Sequence, residues 1–433
     1  MAMDGKELVE KLAKLSQVQS IKDIPQLTHA LFPGTHCPLM GAAMAVGGIK
    51  DSLIVVVGTD ECTYYTKSMT IHSEKFGGID GRCVSVVLDD HDVTFGSAEK
   101  VQGAFKEIIE EYRPQCVFLV TTCVIEIIGD DFDAISEGLS ELYGIPVLPV
   151  HTEHFKCEDH LPGLERTITV CAEMMKSCDC DNSVNLLGQR MGDFATTELY
   201  AMLRKAGVKI GLQLPCGCSV DDIKNAAAAK VNIVVNDIAL PLAQKMQEKF
   251  GIPYVYFNKF VIPEKIYEAY KNLFGYLELE LPGELEGLYQ NAREKIEKNK
   301  GELEGITYIY GNTPYAVFEM NCFLSSLGMV PQVIQTNRYT EADEPYAKEI
   351  LQYTDPYVCK AANIAPLQYV YDVLSPYLYL GHEFGNRLRQ KGIAIVHSDR
   401  ASGMLGFEVT GYLLQQLVKS VREAKEYRKE LCL

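Results

Sequence analysis

Three features are missing from this sequence of 433 residues, and each closes off a class of function. No apolar run reaches the roughly 18 residues that a membrane-crossing helix needs. The opening stretch, MAMDGKELVEKLAKL, reads as a charged amphipathic helix rather than a secretion signal. A cytoplasmic protein with no membrane attachment is therefore expected. Positive charge is in deficit, with 41 Lys and Arg against 58 Asp and Glu and a formal charge of −17. Such a surface repels phosphate backbones and anionic lipid, so nucleic acid is not an expected partner, whereas a basic protein would suit it. The phosphate-cradling string Gly-x-x-x-x-Gly-Lys-Ser/Thr is also absent, so the chain is not expected to hydrolyse ATP itself.

What is plentiful is sulfur. Fourteen cysteines in a cytoplasmic chain do not read as a disulfide framework, because that compartment keeps thiols reduced. They are metal ligands, redox centres or small buried hydrophobes, and their setting has to separate these. With 47% hydrophobic residues the chain can bury large cores, and its length implies two or three of them.

Organisation comes from a repeated rhythm of short β-branched runs, turns and helical patterns, the mark of parallel α/β layering. Strands are expected at 52–58, 116–122 and 145–151, then at 184–188, 208–215, 231–235 and 252–258, then at 306–311, 329–336, 377–381 and 393–399. Amphipathic helices are expected between them, among them 97–114, 134–144, 382–392 and a terminal helix over 407–430. The expected fold is α/β, with three Rossmann-like domains (1–182, 183–300 and 301–433) whose parallel sheets surround a central cleft. In such units, residues at the carboxyl ends of strands face the crevice where ligands bind.

Three thiols occupy that kind of position. Cys123 follows the apolar run CVFLVTT; Cys62 follows LIVVVG on what reads as a loop of turn formers; Cys37 sits in a His-Cys-Pro turn ahead of a helix rich in small residues. Helix dipoles and free amides favour thiolates there. Their separations, 25 and 61 residues, exclude a local Cys-x-x-Cys knuckle but suit a cluster assembled by tertiary folding. On spacing alone, three unrelated free cysteines explain the pattern as well. The loop VHTEHFKCEDHLPG (150–163) offers a second set, with His154, Cys157 and His160 able to bind iron or zinc or to deliver protons; the alternative is a solvated loop. Two Cys-x-Cys pairs, 178/180 and 216/218, are a weaker candidate for a zinc site. Cys83, Cys116, Cys171, Cys322 and Cys359 lie in or beside apolar runs and read as core. Ser97 is placed to cap the helix behind FGSAEK, GNTPYAV (311–317) opens a helix and could bind an anion, and Lys67 near Cys62 is a solvated or docking charge.

The string HCPLMGA at Cys37, GIKDSLIVVVGTDEC ending at Cys62, FGSAEKVQGAFKEIIEEYRP and TTCVIEIIGDD at Cys123 resemble the nitrogenase component 1 family. That family contains nitrogenase α and β subunits, paired cofactor-assembly scaffold subunits and nitrogenase-like reductases. KVNIVVNDIALPLAQKMQEKFGIPYVYFN and GITYIYGNTPYAVFEMNCFLSSLGM resemble its second and third domains, so the likeness spans nearly the whole chain. It implies that Cys37, Cys62 and Cys123 ligate an iron–sulfur cluster, either [4Fe-4S] or the larger P-cluster type, shared at the interface with a second component 1-type subunit, identical or paralogous. It further implies electron delivery by an ATP-dependent iron protein, and room for a second metallocluster in the cleft.

Two departures limit the inheritance. Where the catalytic α subunit has a cofactor-binding cysteine this chain has Val235 or Asn236, and where it has the second cofactor ligand, a histidine, this chain has Met404 or Leu405, with His397 several residues away. Dinitrogen reduction on a molybdenum cofactor held in the usual way is not expected. The reading that follows is a subunit of a nitrogenase-like two-component reductase, an oxidoreductase passing electrons through the interface cluster to a substrate or metal cofactor in the cleft. Its alternatives are a scaffold subunit for metallocluster assembly, which residues 37–170 also resemble, and a cluster-free small-molecule binding protein.

Overall fold

A computed structural model describes residues 4–27, 36–71, 82–157, 159–190, 192–311, 313, 316–360 and 364–432. Its first sheet is built on Ser52–Gly58, whose seven residues are all buried. A run this uniformly apolar belongs at the centre of a parallel sheet covered on both faces. Cys83–Val87 pairs along one side; Cys116–Thr121 and then Val147–Val150 pair along the other, all parallel. Because the chain leaves the central strand in both directions, a switch point opens between the carboxyl ends of Ser52–Gly58 and Cys116–Thr121.

The second sheet repeats the plan, in the spatial order Tyr254–Tyr256, Val231–Val234, Val184–Gln189, Ile210–Pro215. Its switch point lies between Val184–Gln189 and Val231–Val234. The third sheet has six strands, in the order Ala13–Lys14, Tyr357–Cys359, Val330–Gln335, Thr307–Tyr310, Leu378–Leu380, Ala394–Val396, with only Ala13–Lys14 antiparallel. Helix Glu408–Glu430 covers this sheet and buries Leu413, Leu417 and Val421 in its core.

The first two sheets share one core. Ile54, Val56, Phe118 and Val120 of the first meet Leu187, Leu212 and Val234 of the second, with helices Pro38–Gly47 and Leu161–Val170 among them. Glycine makes that helix pair possible: a Cβ on Gly41 would stand 1.9 Å from the carbonyl oxygen of His160, and one on Gly163 would stand 1.8 Å from that of Pro38.

Several elements depart from the expectations. Residues 13–27, grouped on the sequence with the first unit, extend the third sheet and place Leu15, Val18 and Ile24 in its core. Strands Cys83–Val87 and Tyr357–Cys359 are too short or too mixed to stand out as apolar runs. Of the helix expected over 382–392, only Gly385–Arg389 forms.

Candidate functional site

Cys62 and Cys123 flank the first switch point. Val57 pairs with Thr121, and the strand ends press so closely that a Cβ on Gly58 would meet the Thr122 hydroxyl at 2.1 Å. Two helices start side by side from these ends, Asp60–Ile71 with Cys62 in its first turn and Cys123–Ile128 with Cys123 as its first residue. The expected loop at Cys62 is therefore helical. Cys37 is the N-cap of Pro38–Gly47 and its side chain makes no capping hydrogen bond, which leaves the sulfur free for another role. All three thiols thus stand at amino ends of helices, and all three are partly exposed.

They are near one another. Burial raises the thiol pKa of Cys123, and the proximity of Cys62 and, to a lesser extent, Cys37 raises it further. Among the described residues only Asp89, His91 and Asp92 bring three potential ligand atoms within 4.8 Å of each other, so the thiols are spaced more widely than ligands of one ion. A polynuclear cluster distributes its thiolates over several irons and does not require that closeness. The Asp89 group is explained by capping: Asp89 accepts from the amides of His91 and Asp92 at 2.9 and 3.1 Å, and Lys100 pairs with Asp89 and Asp92 at 3.0 and 2.5 Å.

The Gly-Asp-Asp end of the Cys123 motif fixes this corner. Gly129 ends the Cys123 helix in the left-handed region at φ 84°. Asp130 accepts from both the amide and hydroxyl of Ser97, at 2.7 and 2.6 Å, and Asp131 caps the next helix through the Ala134 amide at 3.0 Å. Ser97 is indeed an N-cap, but its side chain bonds Asp130 instead of its own helix.

The loop after Val147–Val150 divides its candidates. Glu153 adopts a left-handed conformation at φ 42°, held by ion pairs to Lys156 at 2.5 Å and Arg166 at 3.0 Å. The turn carries His154 to the first site, with Nδ1 3.4 Å from the Cys123 sulfur. Cys157 donates to the Thr152 carbonyl at 3.8 Å, and burial pushes its thiol pKa up. His160 faces inward, its ring centroid 6.3 Å from that of His36; burial first, and then the Arg190 guanidinium, push its imidazole down to about 4. His154, Cys157 and His160 therefore do not form one ligand set. Neither do the two Cys-x-Cys pairs: Cys178 and Cys180 are exposed, Cys218 is buried, and Cys216 donates to the Arg190 carbonyl at 3.2 Å. Cys116, Cys171, Cys322 and Cys359 are buried as expected, and Cys83 is partly exposed. The side chain of Lys67 and much of 311–317 fall outside the described residues.

Sequence reading missed a group of charges behind His160. Arg190 follows Val184–Gln189, Asp237 lies just beyond Val231–Val234, Lys259 beyond Tyr254–Tyr256, and Arg338 beyond Val330–Gln335. The available signal was positional, since each closes a strand that should point into the cleft. At the two departures from the family pattern, Val235 is fully buried, Asn236 accepts from the Ile238 amide at 3.2 Å as a cap, Leu405 is buried and His397 is exposed. Among the described residues at those two positions, no thiol or imidazole stands in for the missing pair.

Parallel α/β sheets of this order, with thiols at the first switch point, place the protein among the three-domain nitrogenase-type folds. The chain belongs to the nitrogenase component 1 type oxidoreductase family, whose profile matches residues 37–422. It is similar to the nitrogenase iron-molybdenum cofactor biosynthesis protein NifE of Clostridium pasteurianum, at 31% identity over 51% of this chain and 49% of that one. The chain thus spans about half the length of that relative. It matches NifE of Rippkaea orientalis at 25% over 73% of this chain and 69% of that one, and the nitrogenase molybdenum-iron protein alpha chain of Methanosarcina barkeri at 24% over 72% and 62%. Nitrogenase Cp1 at pH 6.5 has the same fold, with a TM-score of 0.78 at 14% identity over 94% of this chain and 96% of that one. Among the described residues no helix is long and apolar enough to cross a membrane.

Proposed function

We propose that this chain is a subunit of a metallocluster assembly scaffold, in which Cys37, Cys62 and Cys123 contribute half of an iron–sulfur site completed by a paralogous or identical subunit. The observation that carries the reading is the nearness of three partly exposed thiols, each at the amino end of a helix, beside the first switch point. Tyr64, Phe95, Ile127 and Phe155 are 72%, 76%, 75% and 59% exposed on the elements that carry or adjoin the cysteines. Large apolar side chains left exposed on such elements suit burial under a partner.

The donor set fits such a group. Thiolates are the usual ligands of iron–sulfur cores, and two buried polar atoms beside Cys123, Thr122 Oγ1 and Glu126 Oε2, lack partners among the described residues. An iron–sulfur cluster bound here would supply one-electron storage. The protein's part is to hold three thiols at helix starts, to place His154 against Cys123, and to exclude water by burial under a partner.

The scaffold reading stands ahead of the reductase reading because the cofactor biosynthesis relatives include the higher-identity match, and because Val235 or Asn236, and Met404 or Leu405, stand where the α-type cofactor ligands are expected. A reductase that takes electrons from an ATP-dependent iron protein keeps support from the alpha-chain relative. Turnover separates the two. Anaerobic protein incubated with a cluster-free acceptor should lose iron to it without consuming ATP. Retention of all iron while reductant and ATP are consumed would favour the reductase.

A further inference from the structure

Cationic side chains deep inside a protein are ordinarily paired, because taking a charge from water without a partner carries a large desolvation penalty. Arg190 breaks that pattern. Its guanidinium is largely buried at the second switch point, yet among the described residues it makes no hydrogen bond and no ion pair within 4.0 Å. Lys259, 5% exposed, follows Tyr254–Tyr256, two strands along the same sheet; its ammonium donates to the Ser402 carbonyl, next to the Gly403 carbonyl that accepts from Gln189, the residue before Arg190, and among the described residues no carboxylate pairs with it. Burial lowers the pKa of both, that of Lys259 to about 7, and the Arg190 guanidinium lowers that of Lys259 further.

The carboxylates nearby do not cancel this excess. Asp237 is exposed and lies 3.8 Å from Arg338. Asp159 is occupied in capping the Leu161 amide at 2.9 Å. Glu165 and Asp343 are pushed upward by burial and so carry their charge less readily. What remains is a guanidinium with unused donors and the Lys259 amine, set beyond the ends of two strands that flank Val231–Val234 in one sheet, where α/β proteins bind ligands. An arginine fork and a lysine suit oxygen anions, the first through paired donors and the second as a point charge.

We propose that Arg190 and Lys259 form a binding site for the oxyanion group, phosphate or carboxylate, of a small molecule that occupies the inter-domain cleft. The site is separate from Cys37, Cys62 and Cys123 and does not depend on the cluster reading. It also accounts for an uncompensated cation pair that folding alone would not favour.

The test titrates anaerobically purified protein with inorganic pyrophosphate and, separately, with succinate, reading heat of binding and melting temperature. At least one probe is expected to bind with a dissociation constant of about 1 mM or tighter and to raise the melting temperature. Arg190→Met and Lys259→Met should each weaken that binding at least tenfold. Arg190→Met should leave the ligand-free protein as stable as before or more so, with iron content unchanged, because it removes an unpaired buried charge of similar volume. Binding of pyrophosphate alone assigns a phosphoryl ligand, and binding of succinate alone assigns a carboxylate. The proposal is overturned if neither probe binds, or if both substitutions leave the affinity within twofold of the parent. Lys259→Met keeps the test decisive should Arg190→Met fail to fold.

Discussion

His160 and His154 lie six residues apart and play different parts, which the sequence could not separate. His154 is exposed and touches the Cys123 sulfur at 3.4 Å; His160 is enclosed beside Arg190 and held neutral. The second fact has a measurable consequence. Above pH 6.5, the ordinary histidine value, the imidazole is neutral in both folded and unfolded chains, so it makes no pH-dependent difference. As pH falls from 6.5 toward 4 only the unfolded chain gains this proton, and the native state loses roughly 3 kcal/mol before the effect levels off. Denaturant midpoints measured across that range should therefore fall with pH, and His160→Gln should flatten the decline; equal slopes in both proteins would contradict the assignment. The cysteines were legible because a thiol at the end of an apolar strand is unusual. Arg190 and Lys259 were not, because a single charge after a strand looks like an ordinary solvated strand end until the neighbouring sheets close over it.

At the scale of elements, the string around Cys123 encodes a joint. Its threonines end a strand, its cysteine starts a helix, its glycine stops that helix, and its two aspartates tie the stop to Ser97 and open the next helix. Removing Asp130 leaves the buried Ser97 hydroxyl without its acceptor, so Asp130→Ala should destabilise the protein by about 1–3 kcal/mol. Amide exchange should quicken at 97–101 and 123–128 and stay unchanged in the third sheet; uniform quickening would point to global rather than local loosening. The strongly apolar strands were legible for the same reason that they form, since Ser52–Gly58 and Cys116–Thr121 are covered on both faces. Tyr357–Cys359 was not, because three residues carry no period. The antiparallel pairing of Ala13–Lys14 with that strand escaped as well, since a two-residue edge contact made 343 positions away is decided by tertiary packing.

For the molecule as a whole, the proposed cluster site is one that a single chain does not finish. The thiols stand beside the first switch point, and Tyr64, Phe95, Ile127 and Phe155 are exposed on the elements that carry or adjoin them. A partner covering these elements would bury those apolar side chains and complete the ligand set. Ile127→Glu places a charge in the middle of such an interface and should cost association at least tenfold. Size-exclusion chromatography with light scattering should then show dissociated chains that keep their circular dichroism; an unchanged assembly would place the interface elsewhere. The account rests finally on iron held by Cys37, Cys62 and Cys123. The most direct measurement is iron and acid-labile sulfide per chain in anaerobically purified protein, compared between the parent and Cys123→Ala. Substantial iron and sulfide in the parent, lost from a variant that remains folded, is the predicted result. A parent devoid of iron, or a variant that retains all of it, would contradict the account.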